Sequence, residues 1–214
     1  AETVTDAPDF EVVPDALEAQ LPMIRHVLGL AGIAIVGAAH HEADDVVGTY
    51  ASHAAFPVDV VTGDRDLFQA RGMRNLEVFT EETVVAKYRV LPQQYADYAT
   101  LRGDASDSRP GVSGIGEKTA ASLLLKFGTL ESLLEAADDP ASGLAGPVRA
   151  KLAAAADYLK AAPAVVRLVR DLALPSLEEA GAQLRPTTGE RRAELERLAT
   201  DSTLGGSVGR LLDA

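Results

Sequence analysis

Short runs of β-branched residues alternate with amphipathic stretches in the first part of the chain. Residues 33–36, 58–62 and 76–79 are apolar runs of the strand type. Apolar positions three and four residues apart predict a helix over residues 15–29, and a polar-led helix follows over residues 42–55. Strands and helices in this order predict an α/β fold with a parallel sheet, which binds ligands at the carboxyl ends of its strands.

The rest of the chain has a helical pattern instead. From about residue 91 onward, Gly and Pro residues separate a series of helix-patterned stretches. The predicted helices cover residues 93–101, 118–127, 129–137, 148–160 and 191–199. The chain is therefore predicted to have an α/β front and an α-helical back.

Composition and charge narrow the classes of function. The 214 residues include no cysteine, which excludes disulfides, zinc–thiolate sites and cysteine nucleophiles. The formal net charge is −12, and residues 1–100 hold 16 acids and 6 bases, whereas residues 101–214 hold 16 acids and 14 bases. An acidic half of this kind is either a solvated face or a nest of carboxylates that binds cations.

Two groups of acidic residues follow the first two predicted strands. Glu42, Asp44 and Asp45 open a predicted helix, where acids also complement the helix dipole. Asp64 and Asp66 come directly after the second strand. Because residues two apart in an extended chain point the same way, both carboxylates are expected to face one space. An ordinary turn is the alternative for this second group.

A third acidic group, Asp104 and Asp107, lies in a predicted loop, where a three-residue spacing places two carboxylates side by side. The alternative is that this loop only caps a helix. If the seven acids of the three groups converge, their mutual repulsion raises pKa values or demands cations. Sites with only oxygen ligands favour Mg²⁺ or Mn²⁺. A pair of such ions about 3.5–4 Å apart is suited to in-line phosphoryl hydrolysis.

A glycine-rich turn leads into the predicted helix over residues 118–127. Gly114 and Gly116 let the backbone turn sharply and aim N–H groups outward, and the helix N-terminus adds a positive dipole end. Lys118 and Lys126 add positive charge for the same nucleic-acid strand. The turn therefore predicts a phosphate cradle without sequence readout, with a glycine-stabilised helix–turn–helix as the alternative.

Several other polar and aromatic residues are interpreted as structural. His40 and His41 are adjacent in a predicted loop, where exposure is expected. Tyr88, Tyr95 and Tyr98 recur near helical spacing, which favours packing over base stacking.

Four blocks of the sequence resemble, in order and spacing, the 5′-nuclease family, which includes bacterial 5′-to-3′ exonucleases, the nuclease domain of bacterial DNA polymerase I and flap endonucleases. The blocks are Glu42-Ala43-Asp44-Asp45, Thr62-Gly63-Asp64-Arg65-Asp66-Leu67, Gly103-Asp104-Ala105-Ser106-Asp107 and the stretch over residues 110–120. The resemblance implies a PIN-like parallel-sheet nuclease core followed by an α-helical region with a helix–three-turn–helix at about residues 110–127.

The resemblance also implies the site residues and the reaction. The implied catalytic and metal-binding carboxylates are Glu42, Asp44, Asp45, Asp64, Asp66, Asp104 and Asp107. The residues expected to bind DNA are Val112, Ser113, Gly114, Ile115, Gly116, Lys118 and Lys126. The expected cofactors are two or more Mg²⁺ or Mn²⁺ ions, and the family often holds a monovalent cation such as K⁺ at the helix–three-turn–helix. The implied reaction is hydrolysis of phosphodiesters at or near 5′ ends of DNA, at flaps, nicks or RNA-primed duplex, by a metal-activated water.

The sequence departs from the family in two places. Family members carry an initial strand with a metal-binding Asp and a basic arch before the first acidic block, whereas residues 1–14 resemble an acidic arch-like tail or linker. Residues 15–100 are therefore expected to form the nuclease core without its N-terminal part, and residues 101–214 a helical region that packs on it. Ser108 stands where the family usually has Asn.

Three functions stay open at this point. The leading one is a metal-dependent 5′ nuclease of replication or repair, expected to be a cytoplasmic monomer without a membrane partner or a nucleotide cofactor. The alternative is a non-catalytic or truncated structure-specific DNA-binding module of the same fold. A nucleotide-binding α/β protein is the weakest interpretation, because no phosphate loop stands at a strand–helix junction.

Overall fold

A computed structural model of the chain describes residues 15–69, 80–104, 109–201 and 205–213. The chain divides into two compact units. The central unit runs from Gly37 to Ala173, and the terminal unit takes in the described residues up to Val36 and from Leu174 onward. None of the helices within these described ranges is long and apolar enough to cross a bilayer.

The described residues are rich in helix. In chain order, the α-helices are α1 (Asp15–Glu18), α2 (Leu21–Leu30), α3 (Ala43–His53), α4 (Glu81–Tyr88), α5 (Tyr95–Arg102), α6 (Glu117–Phe127), α7 (Leu130–Asp138), α8 (Gly146–Ala154), α9 (Ala156–Val166), α10 (Gly189–Asp201) and α11 (Gly205–Leu212), with 3₁₀ helices at Asp66–Gln69 and Pro92–Gln94. Every helix predicted from the sequence has a counterpart here, whereas α4 and α11 were not predicted.

The terminal unit has a small apolar core of its own. Ala31, Leu195 and Val208 are buried in it. The predicted helix over residues 15–29 is split into α1 and α2. The split precedes Pro22, the second residue of α2, because a proline is accommodated in a first helical turn and breaks a helix interior.

The central unit holds the larger core. Phe68, Tyr88, Tyr95 and Tyr98 form an aromatic cluster in it, with ring centroids 5.2–5.9 Å apart. The three tyrosines thus pack in the core, which is one of the two packing roles, core or helix surface, that the sequence favours over base stacking. Because the 3₁₀ helix Asp66–Gln69 contributes Phe68 to this cluster, the core fixes the position of Asp66 and its neighbours.

The alanine-rich stretch predicted as one helix over residues 148–160 forms two. Ala155, with φ −103° and ψ 16°, turns the backbone out of the helical path between α8 and α9. The turn leaves Leu152 on α8 and Leu159 on α9 both buried in the same core.

The predicted strands differ most from the structure. Residues 33–36 and 58–62 form no strand ladder in the described part of the chain, and the third predicted strand, 76–79, lies outside the described residues. A strand of a parallel sheet is covered on both faces. Ile35 and Val61 are instead 53% and 75% exposed, whereas Val60 is buried and makes an isolated bridge, so the described residues cover residues 58–62 on one face only.

Candidate active site and nucleic-acid interface

The first acidic group lies at the N-terminus of α3. Glu42 is the residue before the helix, and Asp44 and Asp45 stand in its first turn. Asp45 is bound on both carboxylate oxygens, since Oδ1 accepts the Val169 backbone N–H at 2.8 Å and Oδ2 lies 3.2 Å from His41 Nδ1. Asp45 therefore does more than complement the helix dipole, because it attaches a distant segment of chain to α3.

The second acidic group forms a turn rather than the extended backbone that the sequence predicted. Asp64 Oδ1 accepts the backbone N–H of Asp66 at 2.8 Å, and Thr62 Oγ1 accepts that of Asp64 at 2.9 Å. The turn starts the 3₁₀ helix Asp66–Gln69. Asp64 and Asp66 lie close together because the Asp64 side chain caps this turn. The alternating side-chain directions of an extended chain are not the reason.

The two groups come together at Asp44. Partial burial, followed by the negative charges of Asp64, Asp66, Glu42 and Asp45, raises the pKa of Asp44 from 3.8 to about 6. Four acidic side chains from two elements thus act on one carboxyl group. Five of the seven predicted acids therefore lie near enough for their charges to interact.

A cleft of about 200 Å³ lies at these acids. Its lining comprises His40, His41, Glu42, Asp44, Asp45, Asp66 and residues 164–169. The cleft lies wholly within the central unit, and it combines carboxylates with the backbone that leaves the end of α9.

That backbone, residues 166–172, is held by side chains of α3 and of the 3₁₀ helix, and we call it the tethered segment. Buried Gln69 donates from Nε2 to Val166 O at 2.8 Å and to Asp66 O at 3.0 Å. Thr49, also buried, donates to Val169 O at 3.4 Å. The tethered segment therefore connects the two elements that carry the first two acidic groups.

Sequence reasoning missed both Gln69 and the tethered segment. The signal for the segment was present, since Val165, Val166, Leu168 and Val169 make an apolar run of strand type between charged residues. Gln69 gives no such signal, because a glutamine that ends an apolar stretch is usually exposed.

Two of the predicted acids, Asp66 and Asp104, form ion pairs with arginines. Asp66 makes two contacts with Arg109, at 2.7 Å from Nη1 to Oδ2 and 3.2 Å from Nη2 to Oδ1. Asp104 Oδ2 lies 2.9 Å from Arg65 Nη2 and 2.9 Å from Arg102 Nη2. These arginines offset negative charge that the acids would otherwise impose on one another. Asp107 and Ser108 lie outside the described residues.

A close backbone crossing fixes the position of Asp104 and Arg109. Their backbones form an antiparallel bridge with both N–H···O distances 2.9 Å. Next to it, a Cβ on Gly111 would come within 2.5 Å of the backbone of Arg102 and Gly103, and Gly111 has φ +68°. Only glycine fits such a crossing, because it has no Cβ and tolerates positive φ.

The predicted phosphate cradle forms the turn between α5 and α6. Val112 and Ile115 are buried, whereas Ser113, Gly114 and Gly116 are exposed. The apolar residues anchor the turn in the core and leave the exposed backbone toward solvent. Gly116 directly precedes α6, whose first N–H groups have no partner within the helix.

Three lysines lie at this turn or on the helix that follows it. Lys118 is exposed in the first turn of α6, as a phosphate contact requires. Lys126 lies in the last turn of α6, where its ammonium donates to Gly143 O at 2.9 Å. Lys151 of α8, which the sequence did not single out, donates to Gly114 O at 2.8 Å. A helix distant in sequence thus supplies a cation that contacts the turn directly.

The carboxylates suit a hard divalent cation in their chemistry, because all the donors are oxygens and their mutual repulsion is visible at Asp44. Within the described ranges, no three His, Asp or Glu side chains lie close enough together to hold an ion as they are placed. Asp66 and Asp104 are oriented toward arginines instead. A site with three of these side chains on one ion therefore requires side-chain rearrangement.

Two family models match the chain. The model of the 5′-3′ exonuclease N-terminal resolvase-like domain matches residues 11–96. The model of the 5′-3′ exonuclease C-terminal SAM fold matches residues 90–188.

Curated relatives cover nearly the whole chain. A 5′-3′ exonuclease of Streptomyces coelicolor is 48% identical over 99% of this chain and 73% of its own length. A 5′-3′ exonuclease of Mycobacterium tuberculosis is 41% identical over 97% of this chain and 70% of its own length.

Two solved structures share the fold. The T5 D15 protein, co-crystallized with metal ions, superposes with a TM-score of 0.57 at 13% identity, covering 98% of this chain and 75% of its own. The catalytic core of Rad2, in complex with a DNA substrate, superposes with a TM-score of 0.53 at 14% identity, covering 89% of this chain and 64% of its own.

Proposed function

This chain belongs to the 5′-3′ exonuclease family, and from that membership we propose that it is a metal-dependent 5′ nuclease. It hydrolyses phosphodiesters at or near the 5′ ends of DNA, in replication or repair. The observation that supports this most directly is the gathering of four acidic side chains around the carboxyl group of Asp44, beside an open cleft.

The carboxylates are assigned one shared task, which is to hold Mg²⁺ or Mn²⁺. The proposed ligands are Glu42, Asp44, Asp45, Asp64, Asp66, Asp104 and Asp107. When two such ions are bound, they supply an attacking water of lowered pKa and neutralise the leaving oxygen. The chain's own part is to bring α3 and the 3₁₀ helix together, so that two sequence-distant groups of carboxylates share one cleft.

The proposed DNA contact is the turn between α5 and α6, with a helix–three-turn–helix spanning residues 110–127. The exposed backbone of Ser113, Gly114 and Gly116 and the first N–H groups of α6 suit phosphate oxygens, which carry no sequence information, and buried Val112 and Ile115 are proposed to hold this backbone in place. Lys118 and Lys151 add charge at this end of α6. Lys126 extends the interface to the other end of α6, about 12 Å away at 1.5 Å per residue.

The finer assignments follow the same premise. The preferred substrates are 5′ flaps, nicks and RNA-primed ends, the active form is a monomer, and a monovalent cation such as K⁺ accompanies the turn. The α/β, PIN-like nuclease core is assigned to residues 15–100 and the helical region to residues 101–214, and these boundaries differ from those of the two compact units.

Replacing Asp64 by Asn tests the metal role without disturbing the fold. The Asn Oδ1 still accepts the N–H of Asp66, so the turn is retained while the charge is lost. We expect cleavage of a 5′-flap DNA in Mg²⁺ to fall by at least about a hundredfold. Binding of the same DNA in a chelator should be at least as strong as before, because an acid has been removed.

The matched control is Asp138→Asn, which neutralises an exposed aspartate at the end of α7. This variant should cleave the flap at the wild-type rate. Wild-type cleavage by the Asp64→Asn variant would contradict the proposed metal site.

A non-catalytic DNA-binding module is the second candidate, because Asp66 and Asp104 are engaged by arginines. Calorimetric titration with Mn²⁺ separates the two functions. A nuclease takes up Mn²⁺ in a stoichiometric ratio, and a bare scaffold with the same fold does not.

A further inference from the structure

The contact between Arg109 and Asp66 is a two-pronged ion pair of low exposure. The two N···O distances are 2.7 and 3.2 Å, and the side chains are 9% and 19% exposed. Both carboxylate oxygens of Asp66 therefore accept a hydrogen bond from one planar guanidinium. Pairs of this geometry are among the stronger and more directional ion pairs in proteins.

Arg109 is held in place by its own backbone. Its N–H and C=O both bond to Asp104, and the close crossing at Gly103 and Gly111 lies beside this bridge. The base of the arginine side chain is therefore fixed. Asp66, in turn, is fixed by the 3₁₀ helix that Gln69 attaches to the tethered segment. The ion pair thus joins two backbone segments that are each held by hydrogen bonds.

A divalent cation on Asp66 conflicts with this pair. Such an ion would lie a few ångströms from the guanidinium, and their positive charges repel strongly at low effective dielectric. The side chains described here also need to rearrange before three of them can hold an ion. The guanidinium restrains one of the carboxylates that must move.

We propose that Arg109 is a positioning residue that competes with the divalent cation for Asp66, and so sets the cation concentration at which the site fills. The inference rests on the proposed function, which supplies the cation. Without the cation, Arg109 neutralises Asp66 and stabilises the fold. When the cation binds, the two-pronged contact between Arg109 and Asp66 opens. By linkage, the cation weakens the ion pair by the same factor as the ion pair weakens cation binding.

Two substitutions separate the effect of the two-pronged contact from the effect of the positive charge of Arg109. Arg109→Gln removes both, and Arg109→Lys keeps the charge but cannot form the two-pronged contact. Calorimetry with Mn²⁺ on the full chain should give a dissociation constant at least about fivefold lower for Arg109→Gln. The constant for Arg109→Lys should lie between that of Arg109→Gln and that of the wild type.

Thermal unfolding gives a readout that is independent of activity. In a chelator, Arg109→Gln should melt at a lower temperature than the wild type, because the acids lose a counter-ion. Its melting temperature should then rise more on adding Mn²⁺. Arg192→Gln is the control, since Arg192 pairs with Glu196 on α10 and not with a proposed ligand. It should bind Mn²⁺ as the wild type does.

The possible results are distinct. Unchanged or weaker Mn²⁺ binding by both Arg109 variants overturns the competition. Tighter binding by Arg109→Gln with wild-type binding by Arg109→Lys also overturns it, because net charge would then be the cause. If Arg109→Gln fails to fold, Arg109→Lys alone decides. Absence of Mn²⁺ uptake by the wild type contradicts the proposed function itself.

Discussion

Asp44 shows how a single side chain reports on its surroundings. It is only partly buried, yet four other acids act on it from α3 and from the turn before the 3₁₀ helix. The folded state therefore binds a proton at Asp44 more tightly than the unfolded state does. Its ionisation costs folding stability, a cost present in full above about pH 6 and relieved as the pH falls toward 3.8.

Asp44→Asn should remove this cost. In urea unfolding with a chelator present, we expect the variant to be more stable than the wild type by about 1 kcal/mol at pH 7.5, after discounting for solvent screening. The difference should shrink toward pH 4, where the wild-type carboxyl is protonated in the folded chain. A difference that is constant from pH 4 to 8 would assign the effect to something other than titration. Asp138→Asn should show no such trend.

Spacing along the sequence could predict which acids are neighbours, but it could not predict which arginines form ion pairs with them. Asp64 and Asp66 lie two residues apart, and a local pattern of that kind is readable. Arg109 is 43 residues from Asp66, and no local sequence pattern at either residue predicts the ion pair. The roles of the seven acids stay predictions, whereas their arginine partners emerge only from the three-dimensional arrangement.

Among the secondary-structure elements, the helices could be predicted from the sequence. The pattern predicted α3, α6 and α7 to within one or two residues at each end. It missed α4, which starts with a reciprocal Thr80–Thr83 cap rather than the usual Ser or Thr with a later Glu or Gln. Strands were read less well, because their stability depends on partners and cover that a local pattern does not contain.

The crossing of Gly103 and Gly111 gives a prediction at this scale. Gly111→Ala should lower the free energy of unfolding by at least about 2 kcal/mol, because a Cβ there meets backbone at 2.5 Å in a positive-φ conformation. Urea denaturation measures the change. Gly146→Ala, with no atom within 4 Å of its added Cβ, should change stability by less than about 0.5 kcal/mol. Similar losses in both variants would show that the crossing is not required.

The whole molecule presents a puzzle of charge. Its net charge of −12 opposes binding to a polyanion, so phosphate contacts depend on where the individual Lys and Arg residues lie. The structure places Lys151 at the exposed turn before α6, which concentrates positive charge where the proposed interface lies. The affinity for DNA should accordingly depend on single lysines more than it would in a basic protein.

Lys151→Gln should therefore weaken duplex DNA binding at low salt by about three- to tenfold. It should also make the slope of log affinity against log salt shallower by about 0.9, the value for one lost phosphate contact. Fluorescence anisotropy over a salt series measures both quantities. Lys160→Gln, which removes an exposed lysine on α9, is the control. Equal slopes for the two variants would place Lys151 outside the interface.

The tethered segment is held through both its side chains and its main chain. Val166 is buried in the core, Arg167 pairs with Asp97, and the Arg170 side chain donates to Gln69 O. Asp45, Thr49 and Gln69 reach the backbone N–H and C=O groups of residues 166–172 rather than their side chains. Val165, which directly precedes this segment and lines the cleft, is 78% exposed and so contributes little to the core. Exchanging Val165 can therefore change what the cleft admits while the acids stay in place.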